Sequence, residues 1–538
     1  MRTVLDLELG FTDAENYRRP ENKEMFNHVF IRNEHLNKLC DHSISFIVGE
    51  KGTGKTAYAV YLANNEYRKT RGTTRFIRET DYQKFITLKH EKHLDLSDYT
   101  SIWKVIIYLL MSQQVKEKEG GLAFLAKFTK MAAIQSAIDE YYQRAFSPEI
   151  IQALQFVQES SLSAGLISKH ANLGVTDKET FTASESRFQA NLFYIQRSFE
   201  SALKQVRLGS NHILFIDGID IRPATIPYSD YLECIRGLAN AVWEVNNDVF
   251  PSAKGAGLRM RTVLLVRPDI FASLGLQNLN TKGRDNSVFL DWRSDYNSAR
   301  SSELFRIVDH LLRYQQPEEL AAGAAWDFYF PWNAPASALR YKNQSSFVSF
   351  LRFSYYRPRD IITMLIVLQD IARESGTDLP NFSFRDFDNP IFRRRYADYL
   401  LGELKDQLTF YYSSDEYELF LKFFEFLDGE FSFSHAEFLA AFDRFQVSTN
   451  SEDAPKARFM TTSATFLQFL YDLNVICYIE YPENDRPYFR WCFRERSYAN
   501  ISPKVKEGVK YEIFYGLGKA LNVGQRLLSR KRNYRKPQ

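Results

Sequence analysis

An α/β fold with a parallel central sheet is predicted by three observations. Apolar runs of strand length recur at residues 44–48, 213–217, 262–266 and 288–292, as strands covered on both faces require. The stretches between them are long enough for crossovers and carry helical spacing. The first run leads straight into Gly49-Glu50-Lys51-Gly52-Thr53-Gly54-Lys55-Thr56, and helix-forming residues 57–63 follow. That stretch fits G-x-x-x-x-G-K-[ST] in the strand–loop–helix setting of a P-loop NTPase.

The residue types in the loop serve one chemistry. Glycines let a backbone wrap a phosphate with its N–H groups, and the positive end of the next helix adds attraction. Lys55 is expected to reach the β- and γ-phosphates of ATP, and the Thr56 hydroxyl to ligate Mg²⁺. The second half of such a site lies at Ile213-Leu214-Phe215-Ile216-Asp217, where a buried strand delivers a carboxylate to the sheet's carboxyl edge. From that Walker B position Asp217 would hold Mg²⁺ through a water. Gly218 stands where many ATPases carry a catalytic glutamate, and Asp220 is the next acid. Asp220 is therefore the candidate for orienting the attacking water; capping a turn is its other reading. ATP is expected over GTP, because the nearest approach to the guanine reader [NT]-K-x-D, Thr281-Lys282-Gly283-Arg284, ends in arginine. The absence of LSGGQ argues against a transporter or an SMC-like engine.

Composition sets the bounds. The 538 residues suffice for about three domains. Hydrophobic residues at 45% and charged residues at 25% are those of a globular protein, and a net charge of +3 is too small to argue for nucleic acid. No apolar run reaches the length of a membrane span, and residues 1–10 show no signal-peptide core. Cys40, Cys234, Cys477 and Cys492 lack paired spacing and are expected as free thiols in a reducing cytoplasm.

The order of later parts narrows the class. Residues 262–266 end at Arg267-Pro268-Asp269; Val288-Phe289-Leu290-Asp291-Trp292 is followed by Glu303-Leu304, Ile307-Val308 and Leu311-Leu312-Arg313 at helical spacing. With these motifs the chain resembles AAA+-related ATPases, in particular the origin-recognition ATPases, the STAND signalling ATPases and the KAP group. It is also similar to stand-alone bacterial P-loop ATPases with an F-I-D-G-[LI]-D Walker B, associated with phage defence or DNA repair. The resemblance implies roles for three arginines. Arg267 falls at sensor 1, which reads the γ-phosphate. Arg284 falls where an arginine finger completes a neighbour's site in a homo-oligomer. Arg359, in Tyr355-Tyr356-Arg357-Pro358-Arg359-Asp360, falls at sensor 2 on a lid helix. Arg32-Asn33-Glu34-His35-Leu36 resembles the segment near adenine. Guanidinium forks suit the charge that spreads over a transferring phosphoryl group. Read without the family, each arginine is equally a surface or salt-bridge residue. The missing Walker B glutamate and the arginine at sensor 1 depart from the family pattern and leave room for a slow switch.

Organisation follows. The second core strand is expected at residues 74–79. The long gap before Asp217 predicts a helical insertion over about 100–180, with helices at 101–114 and 121–144. Phe188, Leu192, Ile195, Phe199 and Leu203 share one helical face behind a Thr182/Glu185 capping box. The core is expected over 1–313 and a helical lid over 314–405. Residues 406–505 predict a C-terminal winged helix: capping boxes Ser413/Glu416 and Ser434/Glu437, a third helix at 465–473, and a hairpin of 475–481 with 488–493. The third helix holds no lysine or arginine, which favours protein contact over DNA reading. Residues 506–538 are expected as a basic tail, with Arg526, Arg530, Lys531, Arg532, Arg535 and Lys536 either binding phosphate backbones or solvated.

The expected function is hydrolysis of Mg-ATP to drive or gate a conformational switch, with a partner protein as effector. The alternatives are a nucleotide-gated scaffold with little hydrolysis and a DNA binder with a regulatory ATPase.

Overall fold

The structure, a computed structural model, describes residues 1–77, 96–119, 206–222, 226–253, 257–335, 344–449, 457–481 and 487–524, with parts of 192–204. The chain divides into two compact units. One comprises Arg32–Gly49 and Lys55–Phe289; the other comprises Met1–Ile31, Glu50–Gly54 and Leu290–Gln538.

The first of these is built on a five-stranded sheet of β1 (Phe46–Val48), β2 (Thr70–Phe76), β3 (Asn211–Asp217), β4 (Met260–Val266) and β5 (Ser287–Phe289). The strand order is β2-β3-β4-β1-β5, and every pair is parallel. β3 and β4 are buried at every residue, as parallel strands with both faces covered must be. The expected strands are all present with shifted ends. The largest shift is at β2, which begins four residues before the expected Thr74. Arg68 and Lys69 take positive φ and turn the chain at the Tyr67–Thr70 bridge, so the strand can begin at once.

Part of the expected insertion belongs to this core. The helix Leu96–Glu119 packs on the helix Tyr228–Glu244 and on β3: Trp103 Nε1 donates to Cys234 O at 3.1 Å and Gln114 Nε2 to Ile213 O at 3.2 Å. Leu192, Phe199 and Leu203 are buried in helical backbone. Phe188, Ile195, the Thr182/Glu185 box and the helix expected at 121–144 lie outside the described residues. One buried cation fixes the lead into β1. Arg261, on β4, donates to Leu39 O at 2.6 Å and to Asp41 O, taking up carbonyls at the end of the helix Glu34–Leu39. Burial lowers its pKa to about 10, so the guanidinium stays charged at neutral pH.

The second unit does not follow the expected boundaries at 313 and 405. Its first residues bond to the helix Pro358–Glu374 and the loop after it: Val4 N donates to Leu379 O at 3.0 Å, and Gln369 Nε2 donates to Val4 O and Leu7 O at 2.8 Å each. Helices Glu303–Arg313, Pro358–Glu374 and Pro390–Thr409 precede three more, Ser414–Phe423, His435–Thr449 and Ser463–Asp472. Both expected capping boxes form, with Ser413 and Glu416 exchanging hydrogen bonds, and Ser434 and Glu437 likewise. Phe423 and Phe466 meet edge to face at 4.6 Å in the core of these helices.

A four-stranded antiparallel sheet follows, in the order β6-β9-β7-β8: β6 (Ser432–Ser434), β7 (Ile476–Glu480), β8 (Tyr488–Arg490) and β9 (Lys510–Ile513). The expected hairpin is the β7–β8 pair, but 492–495 turn helical instead of extending it. β9 corrects the expected tail. Residues 506–524 are folded, and β9 joins β6 to β7. The basic residues from Arg526 onward lie outside the described residues.

Candidate functional site

β1 ends at Val48, and Gly49 N donates to Val266 O at 3.2 Å, which starts the loop beside the end of β4. Gly52 and Gly54 take φ of +84° and +96°, a region closed to most side chains, and the loop closes on the helix Lys55–Asn64. Lys55 is buried, and its Nζ donates to Gly49 O at 2.8 Å, across the loop's own mouth. The Thr56 hydroxyl donates to Asp217 Oδ2 at 2.6 Å, joining residues 161 apart in sequence. The two stretches singled out in the sequence therefore meet at this hydrogen bond.

Asp217, at the end of β3, is buried. Burial and then the neighbouring Asp220 carboxylate push its pKa up to about 6, against the Thr56 hydroxyl, the Lys55 ammonium and the Gly218 N–H, which donates to Oδ1 at 2.8 Å. A buried carboxylate in this condition gains from a cation at its side. Thr56 and Asp217 offer two hard oxygens, the kind of donor magnesium takes when phosphates and waters complete its shell. Among the described residues no group of three or more His, Cys, Asp and Glu side chains is placed to hold a metal ion.

Position 218 is closed to a side chain. Gly218 has φ of +85°, and a Cβ there would stand 2.7 Å from Ile77 O. Asp220, half-buried in the turn that follows, makes no hydrogen bond or ion pair among the described residues.

The three arginines differ. Arg267 is buried and grips Asp269 with two bonds, at 3.1 and 2.7 Å. Arg284 is exposed and pairs with Asp285 at 2.8 and 3.2 Å. Arg359 lies in the first turn of the helix Pro358–Glu374, against the loop: a Cβ on Gly52 would be 3.1 Å from Arg359 Cβ. Its Nε donates to Thr12 O at 2.9 Å, and its Nη1 stands 3.6 Å from Glu403. In the segment 32–36, Arg32 donates to the Tyr61 hydroxyl at 2.7 Å and Asn33 accepts from that of Tyr58 at 3.0 Å.

Sequence reasoning missed the residues that hold the loop's middle. Glu50 pairs with Arg496. Lys51 pairs with Glu403 at 3.2 Å and Asp406 at 2.5 Å. Arg357 Nη1 donates to Lys51 O at 2.9 Å, and Trp292 Nε1 donates to Thr53 O at 2.9 Å. Arg357 is itself fixed by fully buried Asp360, at 2.7 Å from Nη2; Asp360 also accepts from Tyr355 N and the Tyr399 hydroxyl. Arg357 and Asp360 stood in the quoted motif around Arg359 and were legible as its neighbours. For Arg496 no local signal exists.

A groove of about 1130 Å³ beside β7 and β8 is lined by His435, Tyr481, Tyr488, Arg490 and Lys506, among others. Its cations are engaged internally: Glu480 holds Arg490 at 3.0 Å and Lys506 at 3.2 Å. All four cysteines are free thiols. Among the described residues no helix is long and apolar enough to cross a membrane. No protein-family model matches this chain, and neither does any curated protein.

Proposed function

We propose that the chain is a P-loop ATPase that binds Mg-ATP at Gly49–Thr56 and hydrolyses it to ADP and phosphate to gate a conformational switch. The observation that carries this reading is the Thr56–Asp217 hydrogen bond at 2.6 Å, beside a buried lysine at the start of a helix. In this reading the loop amides and Lys55 bind the phosphates. Thr56 and Asp217 hold Mg²⁺, which when bound neutralises charge on the β- and γ-phosphate oxygens. Asp220 orients the attacking water and accepts its proton. Arg359 supplies a cation from the helix that lies against Gly52. Arg267 reaches a γ-phosphate only by releasing Asp269, and Arg284 serves a second copy only by releasing Asp285.

A slow, switch-like cycle is favoured by one further observation: the closed position 218 keeps a glutamate out of the place where fast ATPases carry one. The bacterial defence or DNA-associated setting, the effector protein and binding of DNA rest on the resemblance and on the tail's composition.

The test is Mg-ATP binding and steady-state phosphate release by wild type, Lys55→Ala and Asp220→Ala, with and without duplex DNA. Lys55→Ala is expected to abolish binding, and Asp220→Ala to abolish release while binding persists. Unchanged ATP binding in Lys55→Ala would sink the assignment. Tight binding with almost no release by wild type would move the reading to a nucleotide-gated scaffold.

A further inference from the structure

Glu50 places a carboxylate at the second position of a loop that is read as a phosphate cradle. Left alone there, it would repel an incoming triphosphate. Its partner, Arg496, comes from 446 residues away and is buried. Arg496 caps the helix Cys492–Glu495, and its Nε donates to Ile501 O at 3.0 Å and its Nη2 to Cys492 Sγ at 3.3 Å. The guanidinium is thus fixed by the C-terminal segment before it meets the loop. A fixed, buried fork that ends on a carboxylate sets where that carboxylate points.

We propose that Arg496 is a positioning residue for the nucleotide site: it takes up the Glu50 carboxylate and keeps that charge from the phosphates. This rests on the reading of Gly49–Thr56 as the nucleotide loop. The affinity for Mg-ATP is then set by the C-terminal segment, which touches no nucleotide itself. Drawing 492–501 away from the loop removes this guanidinium from Glu50 and is expected to weaken binding.

The test uses the full chain and three variants, Arg496→Gln, Glu50→Gln and the pair, with Mg-ATP binding, KM and kcat, and a thermal melt of each. Arg496→Gln is expected to weaken Mg-ATP binding about tenfold and to raise KM, with kcat within about twofold. Glu50→Gln is expected to bind at least as tightly as wild type, because no charge is left to restrain. The double variant is expected to return to within about threefold of Glu50→Gln. A loss that persists in the double variant would show a purely structural arginine and overturn the proposal, as would an Arg496→Gln that binds normally. If Arg496→Gln does not fold, Glu50→Gln alone decides: a tenfold loss there overturns the proposal. Failure of the proposed function reads differently, as a wild type without Mg-ATP binding or a Lys55→Ala that binds like wild type.

Discussion

Asp217 and Gly218 are neighbours with opposite constraints, and each makes its own prediction. Asp217 is held above its ordinary 3.8, at about 6, so the folded state binds more protons than the unfolded chain between these values. For this group stability is full below about pH 4 and falls as pH rises through 6. Asp217→Asn carries no buried charge. It is expected to be more stable than wild type by up to about 3 kcal/mol above pH 6 in the absence of nucleotide, with the gain gone below pH 4. Urea unfolding of both proteins at pH 4 and pH 8 checks this; an equal gain at both would refute the buried-charge account. At Gly218 the left-handed backbone and the Ile77 carbonyl both oppose a Cβ. Gly218→Ala is expected to lose about 2 kcal/mol or more in thermal unfolding, and Gly218→Glu to gain no hydrolysis despite restoring the usual residue type. The glycine was legible as an absence in the sequence; the carbonyl that enforces it, that of Ile77 just past the end of β2, was not.

Elements were legible where their signals are local. The glycine-rich loop, the helix start at Lys55 and the capping boxes at Ser413 and Ser434 each need only a few adjacent residues, and all are formed. β9 was illegible for the opposite reason. Lys510-Tyr511-Glu512-Ile513 is four residues of alternating character in a basic stretch, and only β6 and β7 make it a strand. The turn into Pro358–Glu374 is another element defined by its surroundings. There Asp360 compensates a buried guanidinium that also holds the loop at Lys51. Asp360→Asn leaves Arg357 buried without a counter-charge and is expected to cost about 3–5 kcal/mol, read as a lowered urea midpoint. A shift within error of wild type would mean that Tyr399 and the backbone carry that corner.

At the scale of the whole molecule, the sequence reading divided the chain into consecutive pieces, and the fold does not. Residues 1–31, 50–54 and 290 onward form one compact unit, because Gln369 reaches back to Val4 and Leu7, and Trp292, Arg357 and Arg496 reach back to the loop. Such pairings at long range leave no periodicity to read. They do predict the outcome of truncation. Removing 506–538 takes β9 from between β6 and β7 and is expected to abolish the cooperative transition. A truncated chain that melts as cooperatively as wild type would contradict the placement of β9.

The Glu50–Arg496 pair also has a consequence for the order of synthesis. With the partners 446 positions apart, a ribosome adding 5–20 residues per second needs roughly 20–90 s to make the arginine after the glutamate. Through that interval the nascent loop lacks the guanidinium that Arg496 brings to Glu50. If Arg496 positions Glu50 as proposed, a product of premature termination before residue 496 carries the whole Gly49–Thr56 loop without that guanidinium and is expected to bind nucleotide more weakly than the full chain.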